Sequence, residues 1–350
     1  MATEPATDQP GLQPPVVWEQ EADRARLHGL GPWQLGVRRL RRNHVALMFG
    51  FLFVLLVAAC VAAPLWADNI AKTGPTDGHL SDTNTVDGEP KNVVGLDGVP
   101  IGPQYWKADG KFFLGADGNG RDIMVRLLYG GRNSLFIGVT AAFMTAVLSL
   151  VLGVIAGFFR GASDAVIRTL LDIMWSFPVI ILGTALGVAL ALGGLKIGPI
   201  EIPGDSLAIP IFIIGLVYVP YMARPIRGQV LSLREKEFVE AARAQGAGPF
   251  RIMFSEVLPN LASTILVFFT LLIANAVLLE AALSFLGAGV RPPNPSWGTM
   301  IDDGVERIAT APHLAIVPGA MLVLTVLSLN IFGDGVRDAL DPRAKVRVEL

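Results

Sequence analysis

The stretch EFVEAARAQGAGPFRIMFSEVLPN (residues 237–260) is charged and strongly patterned, yet it lies between two long apolar runs. Residues 233–245 favour a helix, with apolar side chains on one face and charged side chains around the rest. Gly246 follows, where a helix C-terminus favours a residue that can take a positive φ angle. After a Gly-Pro turn, residues 250–257 predict a second short helix that leads into the next apolar run. We therefore expect an ordered polar hairpin between two apolar segments.

A rigid, mostly polar hairpin beside a membrane has three interpretations. It is a lever that another protein grips, a solvated connector, or a DNA-binding helix-turn-helix. The loop that contains it, residues 224–256, carries six basic and four acidic residues. This balance attracts phosphates only weakly, so nucleic acid is not expected as a partner. The pattern of the hairpin alone leaves the lever and the connector open.

The composition identifies the class of protein in which this hairpin lies. Of 350 residues, 52% are hydrophobic and only 17% are charged, and the apolar residues come in blocks rather than at amphipathic spacing. Such a chain is an integral membrane protein. Cys60 is the single cysteine, so an internal disulfide and a cysteine metal cluster are excluded. The four histidines are scattered and show no metal-ligand spacing, so we expect no metal site. No nucleophile–base constellation stands out either, so we expect no catalytic residue and no intramembrane enzyme.

Six apolar runs are long enough to cross a membrane, since a spanning helix needs about 20 apolar residues. They cover residues 45–67, 135–159, 173–195, 206–223, 257–279 and 313–333. The first run has an alternative interpretation, because LLVAAC looks like the end of a secretory signal. A signal has a short apolar core of about 7–15 residues, whereas this run stays apolar beyond Cys60. We therefore favour a retained first span, and we expect an all-α fold with six transmembrane helices.

Lysine and arginine are concentrated in alternate loops, which predicts that both chain termini and the hairpin lie on the cytoplasmic side. The predicted organisation is a mobile cytoplasmic tail (1–32), a juxtamembrane segment with the first span (33–67), an external loop with a small subdomain and an interfacial helix (68–132), a core of five spans (133–335) whose cytoplasmic loop is 224–256, and a cytoplasmic tail (336–350). The interfacial helix is expected over 122–134, where apolar and basic residues occupy opposite faces.

The hairpin also carries a spaced motif of six residues, which are Glu240, Ala241, Ala242, Gly246, Leu258 and Pro259. This motif resembles the EAA coupling loop of ABC-importer permeases. Glu256 departs from the pattern, because many members of that family have an apolar residue there. The resemblance implies that the motif docks into a groove on a cytoplasmic ATPase subunit, and it favours the lever over the connector.

Three further blocks narrow the resemblance. FLGADGNGRDI (113–123), LLEAALSFLGAGVRPPNPSWGTM (278–300) and NIFGDGVRDALDPR (330–343) are similar to the dipeptide/oligopeptide (and nickel) branch of these permeases. Within that branch they resemble the subunit type that carries an extra N-terminal span. The resemblance covers roughly residues 33–345, with all four blocks in the expected order. The long external stretch at 70–112 lies outside the blocks, so nothing transfers to it.

The resemblance implies a type I ABC importer permease fold in a bacterial inner membrane. It also implies the partners: a second homologous permease subunit, two ABC ATPase subunits, an extracytoplasmic substrate-binding protein and a peptide-like substrate. The chain has no G-x-x-x-x-G-K-[ST] motif, so ATP and Mg are expected on the ATPase subunits and no cofactor on this chain. A self-sufficient channel or secondary carrier is the alternative, but it leaves the hairpin and the four blocks unexplained.

Five polar or aromatic residues near the membrane have individual interpretations. Glu280 falls roughly 35 Å along the fifth span, at the outer membrane edge, where it faces a translocation cavity or caps the span. With Ser284 and Trp297 it forms our candidate set for a cavity or external gate. Trp297 otherwise anchors at the lipid interface or meets a docked external protein. Asp172 and Arg168 are spaced as an ion pair within one helix.

Overall fold

A computed structural model of the chain describes residues 32–86, 89–104 and 110–340. The tail predicted over 1–32 therefore lies outside the described residues except for its last position, and so does most of the tail predicted over 336–350. Four described helices are long and apolar enough to cross a membrane, and two bent helix pairs bring the candidate spans to as many as six.

The first helices run from the juxtamembrane segment into the first span. They are α1 (Pro32–Arg42), α2 (His44–Val61) and α3 (Ala63–Trp66), which a π-helical turn (Ala67–Ala71) extends. Asn43 caps α2 by accepting a hydrogen bond from the backbone N–H of Ala46 at 3.0 Å. This cap satisfies a donor that would otherwise lack a partner at the helix start.

The loop that the sequence predicts to be external, called the external loop from here on, contains a small folded unit. Strands β1 (Thr83–Val86) and β2 (Glu89–Asn92) form an antiparallel hairpin, with Thr83 opposite Asn92. Four buried side chains form a core beneath it, namely those of Val93, Ile101, Phe112 and Ala116. A bridge between Ala116 and Asp122 leads the chain into the next helix. The loop is therefore joined to the helical bundle through residues 116–122.

Helix α4 (Ile123–Phe159) is continuous over 37 residues. The helix predicted over 122–134 is present, but it is the buried start of α4 and not an element of its own. Gly131 explains the burial, since a Cβ added there would lie 2.5 Å from Cys60 Sγ and 2.6 Å from the Trp297 ring. The missing side chain lets two neighbouring segments pack against this turn of the helix.

The third predicted span, 173–195, is broken in the structure. Helices α5 (Gly161–Trp175) and α6 (Val179–Gly193) meet at an angle of 88°. Pro178 is extended (φ −55°, ψ 130°) and lacks an N–H, so α5 cannot continue through it.

The ion pair predicted between Asp172 and Arg168 is also wrong. Asp172 instead accepts a hydrogen bond from Arg224 at 2.7 Å. The reason is that α5 packs against the helix that carries Arg224, so a partner on another helix replaces the one on the same helix.

The remaining elements are β3 (Leu195–Ile197), β4 (Ile200–Ile202), α7 (Ala208–Val217), α8 (Val219–Leu233), α9 (Glu237–Ala244), α10 (Pro249–Ile252), α11 (Leu258–Phe285), α12 (Trp297–Val305) and α13 (His313–Leu340). Strands β3 and β4 pair as a short antiparallel hairpin. Helices α7 and α8 form the second bent pair, at 41°. Helix α13 continues to Leu340, so the first residues of the predicted C-terminal tail are helical.

Helix α4 is central to the bundle, where it packs along α7, α8 and α11. Gly153 and Gly157 allow the close approach of α8, since added Cβ atoms would lie 2.7 Å from side-chain atoms of Ile226 and Val230. On the other side, α13 packs against α1, α2, α11 and α12. Together these contacts hold the hairpin between α8 and α11 at one end of α4.

Candidate functional site

The hairpin begins with α9, which starts at Glu237 and not at residue 233 as predicted. Helix α8 ends at Leu233, and the backbone at Lys236 is extended (φ −86°, ψ 150°), which separates the two helices. The charged residues between the two helices form a non-helical turn, where the sequence predicts the first turn of α9.

Gly246 ends α9 in the left-handed conformation that the sequence predicts, with φ +82°. Its N–H donates to the Arg243 carbonyl at 2.9 Å, and the N–H of Ala247 donates to the Ala242 carbonyl at 3.0 Å. These two hydrogen bonds define a Schellman motif, which satisfies the last carbonyls of a helix. Ala242 and Ala247 pack against the buried cluster that includes Val239, as the motif favours.

The second arm of the hairpin is continuous with the following span. Helix α10, a π-helical turn (Met253–Val257) and α11 form one apolar segment of 37 residues, Pro249–Phe285. The second short helix predicted over 250–257 is therefore confirmed, and it continues into α11 without a break. Pro259 is tolerated because it lies in the first turn of α11. The second arm and the fifth span therefore form one continuous helical segment.

The inner face of the hairpin is buried against the bundle. Val239 and Ile252 are almost fully buried, one from each arm, in the same cluster as Phe158 of α4 and Val230 of α8. Full burial of an aliphatic side chain contributes about 1.5–3 kcal/mol. These contacts make the hairpin part of the helical core and not a loose connector.

Polar contacts also fix the base of the hairpin to the end of α4. Arg234 donates to the Phe158 carbonyl at 2.6 Å, and Arg160 forms an ion pair with Glu235. Phe159 meets Phe250 edge to face, with ring centroids 6.2 Å apart. Sequence reasoning missed these contacts, because the partners lie about 75–90 positions apart and leave no local signal.

The outer face of the hairpin is exposed. Glu240, Ala241 and Gly246 of the motif lie on it, whereas Ala242 and Leu258 are half-buried and Pro259 is exposed beside the start of α11. Three phenylalanines are also exposed, with fractions of 37% for Phe238, 65% for Phe250 and 61% for Phe254. Exposed aromatic residues ringed by charges are typical of a protein-binding surface. Phe250 and Phe254 lie four residues apart in FRIMF, and this helical spacing could have indicated the exposed surface from the sequence.

Glu280 and Ser284, two of the predicted cavity residues, are buried within the chain. The Glu280 carboxylate accepts a hydrogen bond from Ser284 Oγ at 2.7 Å, and Ser284 Oγ accepts one from the Val290 N–H at 2.9 Å. The pair thus holds the chain as it folds back after α11. Neither side chain is open to a cavity within the part of the chain that the structure describes.

Trp297 is fully buried, so neither interpretation of it as a lipid anchor or an external docking residue is right. Its backbone N–H donates to Ser134 Oγ at 3.2 Å, and its indole N–H donates to the Leu127 carbonyl at 3.1 Å. The segment after α11 folds against the start of α4 and carries the indole into a buried cluster with Cys60 and Ile123. No local feature of the sequence indicates that the segment carrying Trp297 folds back onto α4.

A second polar group joins the external loop to the start of α4. Asp122 caps α4 by accepting from the Val125 N–H at 3.1 Å, and it accepts from the Phe112 N–H at 2.7 Å. Burial raises the pKa of Asp122, and the backbone hydrogen bonds oppose that shift. One carboxylate therefore connects the external subdomain to the bundle.

Four charged residues lie beside this junction. Arg121 donates to Asp117 at 2.7 Å, Arg126 Nε lies 3.3 Å from the same carboxylate, and Asp303 of α12 lies 3.3 Å from Arg126 Nη2. Burial raises the pKa of Asp303, and the two guanidinium groups oppose that shift. Within residues 32–86, 89–104 and 110–340, no three His, Cys, Asp or Glu side chains converge as metal ligands would.

The comparisons with known proteins agree with this geometry. Residues 149–346 match the family described as binding-protein-dependent transport system inner membrane component. Residues 31–84 match the N-terminal TM domain of oligopeptide transport permease C. A chain of the inward-facing MetNI methionine ABC transporter aligns with a TM-score of 0.51 and 21% identity, over 63% of this chain and 98% of that one. This similarity supports the fold.

Curated relatives match over nearly the whole chain. The glutathione transport system permease protein GsiD of Pectobacterium atrosepticum is 35% identical over 316 residues, which are 90% of this chain and 92% of the relative. The dipeptide transport system permease protein DppC of Alkalihalophilus pseudofirmus is 35% identical over 318 residues, 90% of this chain and 91% of the relative. The family implies ATPase and substrate-binding partners, and the predicted fold class is confirmed. The chain therefore belongs to the ABC-importer permeases, the inner-membrane components of binding-protein-dependent transport systems, as a permease subunit of the dipeptide/oligopeptide branch.

Proposed function

We propose that this chain forms half of the translocation pathway of an ATP-driven importer for peptide-like substrates, such as di- or oligopeptides. The single observation that carries the coupling role is the hairpin, whose inner face is buried and whose outer face is exposed. The names of the relatives, which specify glutathione and dipeptides, support a peptide-like substrate.

The proposed coupling mechanism uses the hairpin as a lever. An ATPase subunit grips the exposed surface around Glu240–Gly246 together with Phe250 and Phe254. When ATP closes the ATPase pair, the hairpin moves and carries the continuous segment Pro249–Phe285 with it. At about 1.5 Å per residue this segment is roughly 55 Å long, enough to reach the opposite side of the membrane. The bundle then switches from inward-facing to outward-facing, and the released substrate enters.

The proposed assembly has this chain, a second homologous permease subunit, two ABC ATPase subunits and an extracytoplasmic substrate-binding protein. ATP and Mg bind to the ATPase subunits, and this chain holds no cofactor of its own. Both termini lie in the cytoplasm of a bacterium, since six crossings return the chain to its starting side. The arginines of α1 support this orientation, because basic residues favour the cytoplasmic side.

The proposal is tested by purifying the tagged chain from its native membranes in mild detergent, with gentle crosslinking, and identifying its companions by mass spectrometry. We expect a second permease and one or two ATPases with a P-loop motif. Reconstitution of the purified complex should then give peptide uptake only when ATP is present. A chain that comes out alone, and that carries solute by itself in proteoliposomes, would contradict the proposal and support a self-sufficient carrier.

A further inference from the structure

An external pocket lies between the charged loop that precedes α4 and the segment that joins α12 to α13. We call it the outer pocket, and its polar lining includes Asn119, Arg121, Arg126, Asp303, Glu306 and Arg307. The coupling hairpin lies at the other end of α4, so the outer pocket belongs to a different functional surface.

Arg307 is the first reason to assign a ligand to this pocket. Its side chain is half-buried, and its guanidinium lies over Gly118, where an added Cβ would be 2.5 Å from Cζ and Nη2. The other two arginines of the pocket pair with Asp117 and Asp303. Arg307 forms no ion pair with any residue in the described part of the chain.

Arg126 is the second, independent reason. Its side chain lines the same pocket and is only 3% exposed, with Nε and Nη2 directed at the two aspartates. The remaining nitrogen, Nη1, is buried and finds no acceptor among the described residues. A buried charged donor without an acceptor is costly, so such a donor normally has a partner in the working protein. Two guanidinium groups that line the pocket thus have donors without an acceptor among the described residues.

The geometry points to a carboxylate as the ligand of the outer pocket. A guanidinium presents paired donors that match the two oxygens of a carboxylate. The three acidic side chains in the lining, Asp117, Asp303 and Glu306, balance the three arginines, so the pocket favours one negative charge over a phosphate dianion. The carboxylate comes from one of two sources: the free C-terminus of a peptide, or an acidic side chain of a docked external protein. Only this choice of source rests on the proposed function.

The site is tested by arginine labelling of the full chain in nanodiscs, with sodium acetate as the probe. Phenylglyoxal modifies accessible arginines, and mass spectrometry gives the rate at each residue. Arg291 is the matched control, since it is also external by prediction, equally half-buried and outside the pocket. If acetate binds with a dissociation constant of about 10 mM, 100 mM acetate should slow labelling of Arg307 about elevenfold. The rate at Arg291 should match that in sodium chloride of equal ionic strength.

Protection of Arg307 alone supports the site, whereas no protection, or equal protection of both arginines, overturns it. Two further arms identify the source on the assembled complex. Protection by trialanine but not by trialanine amide assigns the carboxylate to a peptide C-terminus. Protection by the purified substrate-binding protein, with weaker docking to an Arg307→Gln variant than to Arg291→Gln, assigns it to the docked protein. The acetate experiment uses this chain alone, whereas peptide uptake needs the assembled complex. A failure of the carboxylate site can therefore be distinguished from a failure of the proposed transport function.

Discussion

Replacing Gly246 by alanine should uncouple transport, whereas the same change at Gly248 should not. Gly246 has φ +82°, a conformation in which a residue with a Cβ costs about 1–2 kcal/mol. No atom lies within 4 Å of a Cβ added at either glycine, so no collision contributes to the difference. Gly248 has φ −71°, which alanine adopts freely. The two variants therefore differ in backbone strain and in little else.

The strain acts on a structure with little stability of its own. Helix α9 has only eight residues, and helices this short are not stable alone. A cost of about 1–2 kcal/mol lowers the population of the native helix end about 5- to 30-fold relative to its alternatives. If the ATPase grips that end, we expect uptake to fall in Gly246→Ala, by up to that factor. In Gly248→Ala the loss of unfolded-state entropy favours the native turn by about 0.4–1 kcal/mol, so uptake should persist.

The assay is ATP-driven uptake by the purified complex in proteoliposomes, with ATP hydrolysis measured in the same vesicles. Immunoblots check that both variants insert and assemble to the same extent. Gly246→Ala should hydrolyse ATP while it transports little. Equal uptake by the two variants would refute the reasoning, because backbone strain at the helix end would then have no effect on coupling.

Four further predictions concern the contacts that hold the fold. Asp122→Ala removes the cap of α4 and leaves the buried Phe112 N–H without its acceptor, so hydrogen exchange in the external subdomain should show an opening free energy lower by about 2–4 kcal/mol. Because burial raises the folded-state pKa of Asp122, the ionised carboxylate lowers the stability of the folded state at neutral pH. This destabilisation should fade as the pH drops through the raised pKa. Asp122→Asn should abolish this part of the dependence of stability on pH. Arg227 and Asp164, whose side chains are 23% and 18% exposed, form two hydrogen bonds at 2.5 and 2.7 Å, and a double-mutant cycle in thermal unfolding should give a coupling energy of about 1–2 kcal/mol. Trp297→Phe should cost about 1 kcal/mol through its lost hydrogen bond, and Trp297→Ala about 3–5 kcal/mol.

Each of these predictions has a clear contrary result. A dependence of stability on pH that Asp122→Asn leaves unchanged would contradict the prediction for the Asp122 carboxylate. Unchanged exchange in the Asp122→Ala variant would mean that the external subdomain is held by other contacts. A coupling energy near zero would place the Arg227–Asp164 pair among solvent-screened ion pairs. Nearly equal stabilities of the Phe and Ala variants at Trp297 would favour an indole at the lipid surface over one in the core.

The features that sequence reasoning predicted are the local ones. The six apolar runs mark the candidate spans because burial in lipid requires continuous hydrophobicity. The conformation of Gly246 followed from its position after a charged helix, since few other residues take a positive φ angle there. The motif around Glu240 placed the chain in its family, which the comparisons show.

The features that sequence reasoning missed depend on contacts between distant segments. The right-angle bend at Pro178 was missed because composition does not distinguish a broken apolar segment from a straight span. Trp297 looked like an interface residue because its fold-back onto α4 depends on Ser134 and Leu127, more than 160 positions away. Arg234 contacts the Phe158 carbonyl only because α8 returns along α4. Local patterns predict elements, whereas these contacts depend on tertiary packing.

The central claim is that the outer face of the hairpin is the surface that an ATPase subunit grips. Cys60 is the single cysteine and is buried, so a cysteine placed at the exposed Ala241 can carry a photo-activated crosslinker specifically. The control cysteine replaces Asp97, which is exposed in the external loop. Crosslinking in the native membrane, followed by mass spectrometry, should join position 241 to a P-loop ATPase and leave position 97 without such a product. Crosslinks from position 241 to lipid alone, or equal ATPase yields from both positions, would contradict the account.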